Sequence, residues 1–308
     1  MPDEVVVQVG PAVHPAPRVS VIIPAWRAEW LNLALDSVRT QTFTGWELLV
    51  IDDGSPEPVQ PERVDDLVLI RQPNTGPGGA RNRGIAHARG ELLAFLDSDD
   101  QWLPAKLERQ VAFHDAHPTV VVSSTDLLTL GHTERAPRLR RHGHVTGLLP
   151  FADLFLENCL ATSAVIARAD AVRRTIGMDP QRRFAEDYAL WLRLGLLGDV
   201  GFVNEPLVLY RVEPTGLTAV ARRTAAVDAN EIEVKREFLA EHTELAGAPW
   251  VKPGLARAWF DWGYALLAQR AWGAAARAFL HAALLRPQRP KAWLNVLRAI
   301  LHVPPRAE

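Results

Sequence analysis

Four short apolar runs constrain this chain more than any other feature: RVSVIIPAW (18–26), WELLVIDDGS (46–55), DLVLIRQ (66–72) and ELLAFLD (91–97). Continuous apolar strands, rather than alternating ones, suit a sheet covered by helices on both faces. Helical patterning lies between them. Residues 28–40 set Trp30, Leu31, Ala34, Leu35 and Val38 on one helical face. PNTGPGGARNRGIAHARG (73–90) reads as a Gly-rich loop opening a helix that Gly90 stops, and Pro104 suits the first turn of another. The alternation predicts an α/β fold with a mostly parallel sheet flanked by helices. Such sheets bind ligands beyond the carboxyl ends of their strands, and there lie Asp52, Asp53, Asp97, Asp99 and Asp100.

The flanking regions differ in texture. Residues 1–17 carry four prolines and no period, which predicts a loose leader. From about 216 to 308 the pattern is helical throughout. Within it Trp259, Gly263, Leu266, Ala275, Phe279, Ala282 and Pro287 fall at tetratricopeptide spacing, and Trp293 begins a second, incomplete copy. One such unit cannot bury its own apolar face, so packing on the 18–215 domain or a homodimer through these helices is expected. Four tryptophans, Trp259, Trp262, Trp272 and Trp293, are expected to pack this tail.

Composition narrows the partners. A net charge of −2 with interspersed signs gives no nucleic-acid footprint. Cys159 is the single cysteine, which rules out an internal disulfide and a Cys-rich zinc site and leaves a small core residue. No 18-residue apolar run occurs and the start lacks a signal-peptide pattern, so no membrane span and a cytoplasmic location are expected. A lipid-linked ligand would place the protein at the membrane periphery.

The run LLAFLDSDDQW (92–102) brings Asp97, Asp99 and Asp100 together directly after a strand. Their mutual repulsion is relieved by a hard divalent cation. Mg²⁺ or Mn²⁺ takes one or two protein carboxylates and fills its other positions with phosphate oxygens and water. Acids also favour a helix start, and Asp100 is expected to do no more than lead the helix near Pro104.

The ordered motifs VSVIIPAW, LLVIDDGS, NTGPGGARNRG and LLAFLDSDDQW resemble those of family 2 glycosyltransferases over about residues 18–215. The resemblance implies a GT-A type, Rossmann-like fold. It also implies inverting transfer of a sugar from a nucleotide diphosphate donor to an acceptor hydroxyl. It puts Pro24, Ala25 and Trp26 beside the nucleotide, although Trp26 and Arg27 stand where relatives often have tyrosine and asparagine. A tryptophan there could stack on the base or bury against the first helix. The resemblance makes Asp53 the acceptor of a base N–H, with Asp52 nearby. UDP is the favoured nucleotide, with GDP and TDP open. In DSD, Asp99 would hold the metal, with Asp97 and Ser98 near the donor. Arg81, at a helix start, would face the donor phosphates.

In RRFAEDYALWLRLG (182–195), Phe184, Tyr188, Trp191 and Leu192 form one helical stripe, with Glu186 and Asp187 in the first turn. Acids there also complement a helix dipole. The resemblance makes the Glu186–Asp187 pair catalytic and Asp187 the base for the acceptor proton. No Gln-x-x-Arg-Trp signature follows, so one sugar per encounter is expected. The acceptor, whether glycan, lipid-linked or small molecule, is not written in these motifs. A basic stretch at 132–145 sits where an acceptor loop belongs, and a phosphate-bearing acceptor or plain solvation would both account for it. His114 and Asp115 are read as the polar end of a helix rather than a metal pair. Two other classes compete: a haloacid-dehalogenase-like phosphatase using Asp97 as nucleophile, and a non-catalytic scaffold with a relict sugar-nucleotide site.

Overall fold

The computed structural model describes residues 6–11, 13–27, 29–130, 145–212 and 224–303. The described residues of 1–149 and 160–212 form one compact unit, and those of 150–159 and 213–308 form another. The segment 150–159, assigned from sequence to the α/β domain, thus groups with the helical tail.

Ten strands among the described residues build a single sheet in the first unit. They are β1 (Val6–Val9), β2 (Val19–Ala25), β3 (Trp46–Asp53), β4 (Leu67–Gln72), β5 (Leu92–Phe95), β6 (Gln101–Trp102), β7 (Val120–Leu130), β8 (Gly147–Leu149), β9 (Ile166–Arg168) and β10 (Asp199–Arg211). Their order is β1-β4-β3-β2-β5-β9-β7-β10-β6, with β8 also on β10. The pairings set β2, β3, β4, β5, β7 and β10 in one direction, and the short β1, β6, β8 and β9 oppose them. The main direction is therefore parallel, as the apolar runs predicted. The expected loose leader is corrected at residues 6–9, which pair with the β4 edge as β1.

Helices α1 (Leu31–Arg39), α2 (Gly76–His87), α3 (Lys106–Ala116), α5 (Ala169–Arg173) and α6 (Glu186–Leu194) belong to this unit, and α4 (Phe151–Leu156) to the other. Alternation along β2 shows the layering. Val19, Val21 and Ile23 share a cluster with Leu31, Ala34, Leu35 and Val38 of α1 and Leu107 of α3. Ile22 meets α2 instead: a Cβ at Gly84 would lie 2.4 Å from its Cγ2, so that glycine permits the close approach. Two boundaries differ from expectation. Gly76, Gly78 and Gly79 form the first turn of α2 rather than a loop before it, and the helix ends at His87, ahead of Gly90.

The second unit holds α4, α7 (Ala226–Glu241), α8 (Val251–Ala268), α9 (Trp272–Leu285) and α10 (Pro290–Ile300). The repeat spacing corresponds to the α8–α9 hairpin, where a Cβ at Gly263 would lie 2.7 Å from the Phe279 ring. Phe155 of α4 packs on Trp250, with ring centroids 4.6 Å apart, and Cys159 is buried. Trp259 stacks on His281 and lies 5.3 Å from Trp262.

Candidate functional site

The carboxyl ends of β2, β3 and β5 lie side by side, because β2 pairs in parallel with both neighbours. At the β2 end, Trp26 is 51% exposed rather than buried against α1, and the Arg27 guanidinium sits 4.6 Å from its ring centroid. Pro24 is half-buried. Ala25 departs from expectation, since its side chain belongs to the core cluster and not to the rim. Arg27 adopts φ 50°, a left-handed conformation for a side chain with a Cβ, and its N–H donates to Ser55 Oγ at 3.2 Å. Beside this turn opens a cleft of about 490 Å³ lined by Arg27, Asn32, Pro56 and Val59 among others, with none of the DSD acids in its wall.

The two acids closing β3 face inward. Asp52, 2% exposed, accepts from Ser55 N at 3.0 Å and ion-pairs with Arg71. Asp53 accepts at Oδ1 from Gln72 Nε2 (2.8 Å), Thr75 N (2.9 Å) and Thr75 Oγ1 (3.1 Å). Its Oδ2 accepts from Gly76 N at 2.8 Å. Asp53 therefore caps the start of α2 from a neighbouring strand, satisfying N–H groups that have no partner within the helix. Of its two oxygens only Oδ2, with a single donor, has capacity for a further N–H.

Arg81 departs most from expectation. It is 5% exposed and does not present itself to a phosphate. Its Nη2 donates to Asp97 Oδ1 at 2.5 Å and its Nη1 to Glu186 Oε1 at 2.8 Å. The guanidinium thus joins the end of β5 to the start of α6, which are 89 or more residues apart in sequence and adjacent in space. Desolvation works against its charge, but Asp97 and Glu186 more than offset this and hold its pKa above the usual value. Glu186 is 7% exposed, and burial raises its carboxyl to about 7 despite the guanidinium, with Asp187 adding to the rise.

Asp100 does more than lead a helix, since α3 begins only at Lys106. It is 1% exposed, accepts from Ser163 Oγ at 2.5 Å and from Arg211 N at 2.8 Å. Burial, then Asp97 and Asp99, push its pKa well above the ordinary range. Arg211 Nε donates to Asp99 O at 3.0 Å, and its guanidinium lies 4.0 Å from the Trp30 ring centroid. Asp97, Ser98 and Asp99 are half-buried along this rim.

Asp187 opens α6 beside Glu186 and remains half-buried. Its Oδ2 accepts from Thr162 Oγ1 at 2.7 Å and its Oδ1 from Tyr188 N at 2.6 Å. Burial raises its pKa, with Asp97 adding to the rise, while Thr162 and Arg81 oppose it. The preceding Ala185 adopts φ 60°, a left-handed conformation that costs an alanine of order 1–2 kcal/mol and sets the angle at which the helix starts. The stripe behind it is buried: Tyr188, Trp191 and Leu192 are all 0% exposed.

Asp97, Glu186 and Asp187 therefore surround Arg81, Asp100 lies within the field of Asp97 and Asp99, and neighbouring acids add to the raised pKa values of Asp100, Glu186 and Asp187. Such a field suits a cation. Among the described residues no three His, Cys, Asp or Glu side chains are preassembled as a metal cage. That donor set fits Mg²⁺ or Mn²⁺ held by one or two carboxylates and completed by diphosphate and water. Thr162, Ser163 and Arg211 were not anticipated from sequence. The polar pair inside CLATSAVIAR, apolar on both sides, was the available signal for the first two. His114 lies in the last turn of α3, where it is 1% exposed, bonded to Ser123 Oγ at 3.0 Å, and burial lowers its pKa to about 4. The basic stretch lies outside the described residues except for Val145.

A family model described as Glycosyl transferase family 2 matches residues 20–171. A putative teichuronic acid biosynthesis glycosyltransferase of Bacillus subtilis, TuaG, is 30% identical over 208 residues, covering 64% of this chain and 79% of that protein. The chain belongs to glycosyltransferase family 2. Two solved structures share the fold of this family 2 glycosyltransferase. Residues 1–349 of S. aureus TarS, in complex with UDP-GlcNAc, align with a TM-score of 0.57 and 19% identity over 92% of this chain and 90% of that one. A mannosyltransferase from Pyrobaculum calidifontis, in complex with GDP-Man and Mn²⁺, aligns with a TM-score of 0.54 and 21% identity over 96% and 89%. The glycosyltransferase fold is of the GT-A type, and family membership sets aside the phosphatase alternative. Asp97, the nucleophile of that alternative, is in any case ion-paired with Arg81.

Proposed function

We propose that this glycosyltransferase is metal-dependent, inverting and non-processive, takes its sugar from a nucleoside diphosphate, and uses Asp187 as general base. The observation that carries this reading is the contrast between the paired acids of α6. Glu186 is buried against Arg81, whereas Asp187 is half-buried and oriented by Thr162, which leaves it the accessible carboxylate of the two. A base must reach the acceptor hydroxyl, and the greater exposure of Asp187 supports it over Glu186 for that role.

In this mechanism Asp99 would hold Mn²⁺ or Mg²⁺, and a cation held there would supply positive charge to a departing diphosphate. Asp97 and Ser98 lie beside the donor, with Asp97 fixed by Arg81. The acceptor oxygen forms its bond to the anomeric carbon on the face opposite the diphosphate. The carbon–oxygen bond to the diphosphate breaks, its electron pair leaves with the phosphate oxygen, and the acceptor proton passes to Asp187. Trp26 offers an exposed ring on which a base could stack, and Asp53 Oδ2 an acceptor for an imide N–H. UDP is the favoured nucleotide, and the UDP-GlcNAc and GDP-Man complexes of the fold relatives support a nucleotide-sugar donor. The GDP-Man relative also holds Mn²⁺, which supports a divalent cation. The acceptor is a hydroxyl of a glycan, a lipid-linked sugar or a small molecule. A cytoplasmic location fits the observation that no helix among the described residues is long and apolar enough to cross a membrane.

Calorimetry with UDP, GDP and TDP, with and without Mn²⁺, tests the donor half. Binding should need the metal and be lost in Asp99→Ala; metal-independent binding by that variant would remove Asp99 from its role. Asp187→Asn should keep nucleotide binding and lose transfer, and retained transfer would remove Asp187 as the base.

A further inference from the structure

Helix α10, in the helical unit, carries an exposed apolar surface. Its inner side is formed by Ala292, Asn295 and Ala299, all buried. Trp293, Leu294, Leu297, Ile300 and Leu301 are respectively 40, 46, 57, 61 and 71% exposed. At 3.6 residues per turn these five positions fall within one arc, opposite the buried side. The Trp293 indole is held in place by donating to Pro287 O at 3.1 Å. A patch of this kind on a soluble chain marks an interaction site.

Charge decides the partner. Between residues 262 and 303 there is no aspartate or glutamate, while six lysines and arginines occur. Lys291 and Arg298, seven residues apart, border the apolar arc on one side. A second copy docking through the same face would bring these uncompensated cations together. Docking onto acidic surface elsewhere on another copy would be a head-to-tail contact, which propagates rather than closes. A nucleic acid would answer the charge but leave the leucines and isoleucine wet. A helix with Trp, Leu and Ile on one arc and only cations at its edge matches an in-plane lipid-binding helix.

We propose that α10 docks the protein onto an anionic lipid bilayer, its apolar arc seated among the headgroups and Lys291 and Arg298 against lipid phosphates. This holds whether or not Asp187 is the base, so the two readings fail separately. The test uses the full chain in co-sedimentation with vesicles of phosphatidylcholine alone and of phosphatidylcholine mixed with phosphatidylglycerol. Binding should appear only with the anionic mixture and fall as salt is raised. Leu297→Glu with Ile300→Glu should abolish it, and Lys291→Glu with Arg298→Glu should weaken it about tenfold or more. If the first pair disturbs folding, judged by circular dichroism, the second pair and the salt dependence decide. No binding to either vesicle, or equal binding by wild type and both double variants, overturns the proposal. So does a concentration-dependent dimer that Leu297→Glu with Ile300→Glu dissolves without any vesicle binding, which would make α10 a contact between copies.

Discussion

Arg81 donates to Asp97 across 2.5 Å while 5% exposed, so the acid that follows β5 is neutralised from within the protein. The same guanidinium holds Glu186 at 2.8 Å, which makes it the joint between the segment after β5 and the helix bearing the proposed base.

Replacing Arg81 by alanine leaves two carboxylates without their cation, one of them buried. Breaking such a pair costs about 3–5 kcal/mol, because the remaining charge stays desolvated. Denaturant unfolding of Arg81→Ala should show a loss of that size. Adding Glu186→Gln should recover part of it, since a neutral amide is cheaper to bury alone. An Arg81→Ala variant as stable as wild type would contradict this role.

The proposed role of Asp187 as base predicts the pH profile of transfer. A base works only when deprotonated, and burial has raised this carboxyl above its usual value. Transfer should therefore be lost on acidification at a higher pH than an ordinary aspartate would give. Glu186→Gln removes a neighbouring negative charge and should move that limb downward. Thr162→Val removes the donor to Oδ2 and should move it upward while lowering kcat about tenfold. Rates measured across pH with saturating donor would check all three directions.

Asp53 carries a structural duty that nucleotide binding does not explain. Asp53→Ala strips the acceptor from Thr75 N and Gly76 N at the start of α2. The expected loss is about 1–3 kcal/mol, from an absent cap and unsatisfied amides. A thermal melt without nucleotide isolates this effect. An unchanged melting temperature would mean that water replaces the carboxylate without penalty.

In the helical unit, Gly263→Ala tests the α8–α9 contact. Alanine favours a helix by about 1 kcal/mol over glycine, but the added Cβ meets the Phe279 ring at 2.7 Å. Overpacking of this kind costs about 1–3 kcal/mol, so a net destabilisation is expected in a thermal melt. Gly263→Ala combined with Phe279→Leu should be milder than the two single losses added.

The legible part of the fold was the part with one simple pattern. β2, β3, β4 and β5 stood out because nearly every residue is apolar, and the acids ending β3 and following β5 marked the rim. The longest strands did not stand out. β7 buries Ser123, Ser124, Thr125 and Asp126 in its middle, and β10 is interrupted by Gly201 and Pro206, with register shifts near the proline. Neither shows an apolar run or a clean alternation. Within the site, Asp99 and Asp187 could be picked out by motif, whereas the partners of Arg81 could not. Those contacts, like Ser163 to Asp100 and Arg211 to Asp99, join residues that only the sheet order brings together. Nothing local in Arg81 distinguishes a buried counter-ion from a phosphate contact at a helix start.

Strand β9 has only three residues, yet it wedges antiparallel between β5 and β7. The turn just before it carries Thr162 and Ser163, the hydroxyls that hold Asp187 and Asp100. Assembly of the site therefore waits on a pairing between segments some 75 residues apart, whose loop-closure entropy must be met before any contact rewards it. Local opening of this one short strand would release both hydroxyls at once while most of the sheet stayed paired. Hydrogen exchange at Ile166 and Ala167 is thus a gauge of how often the enzyme visits a folded but incompetent state.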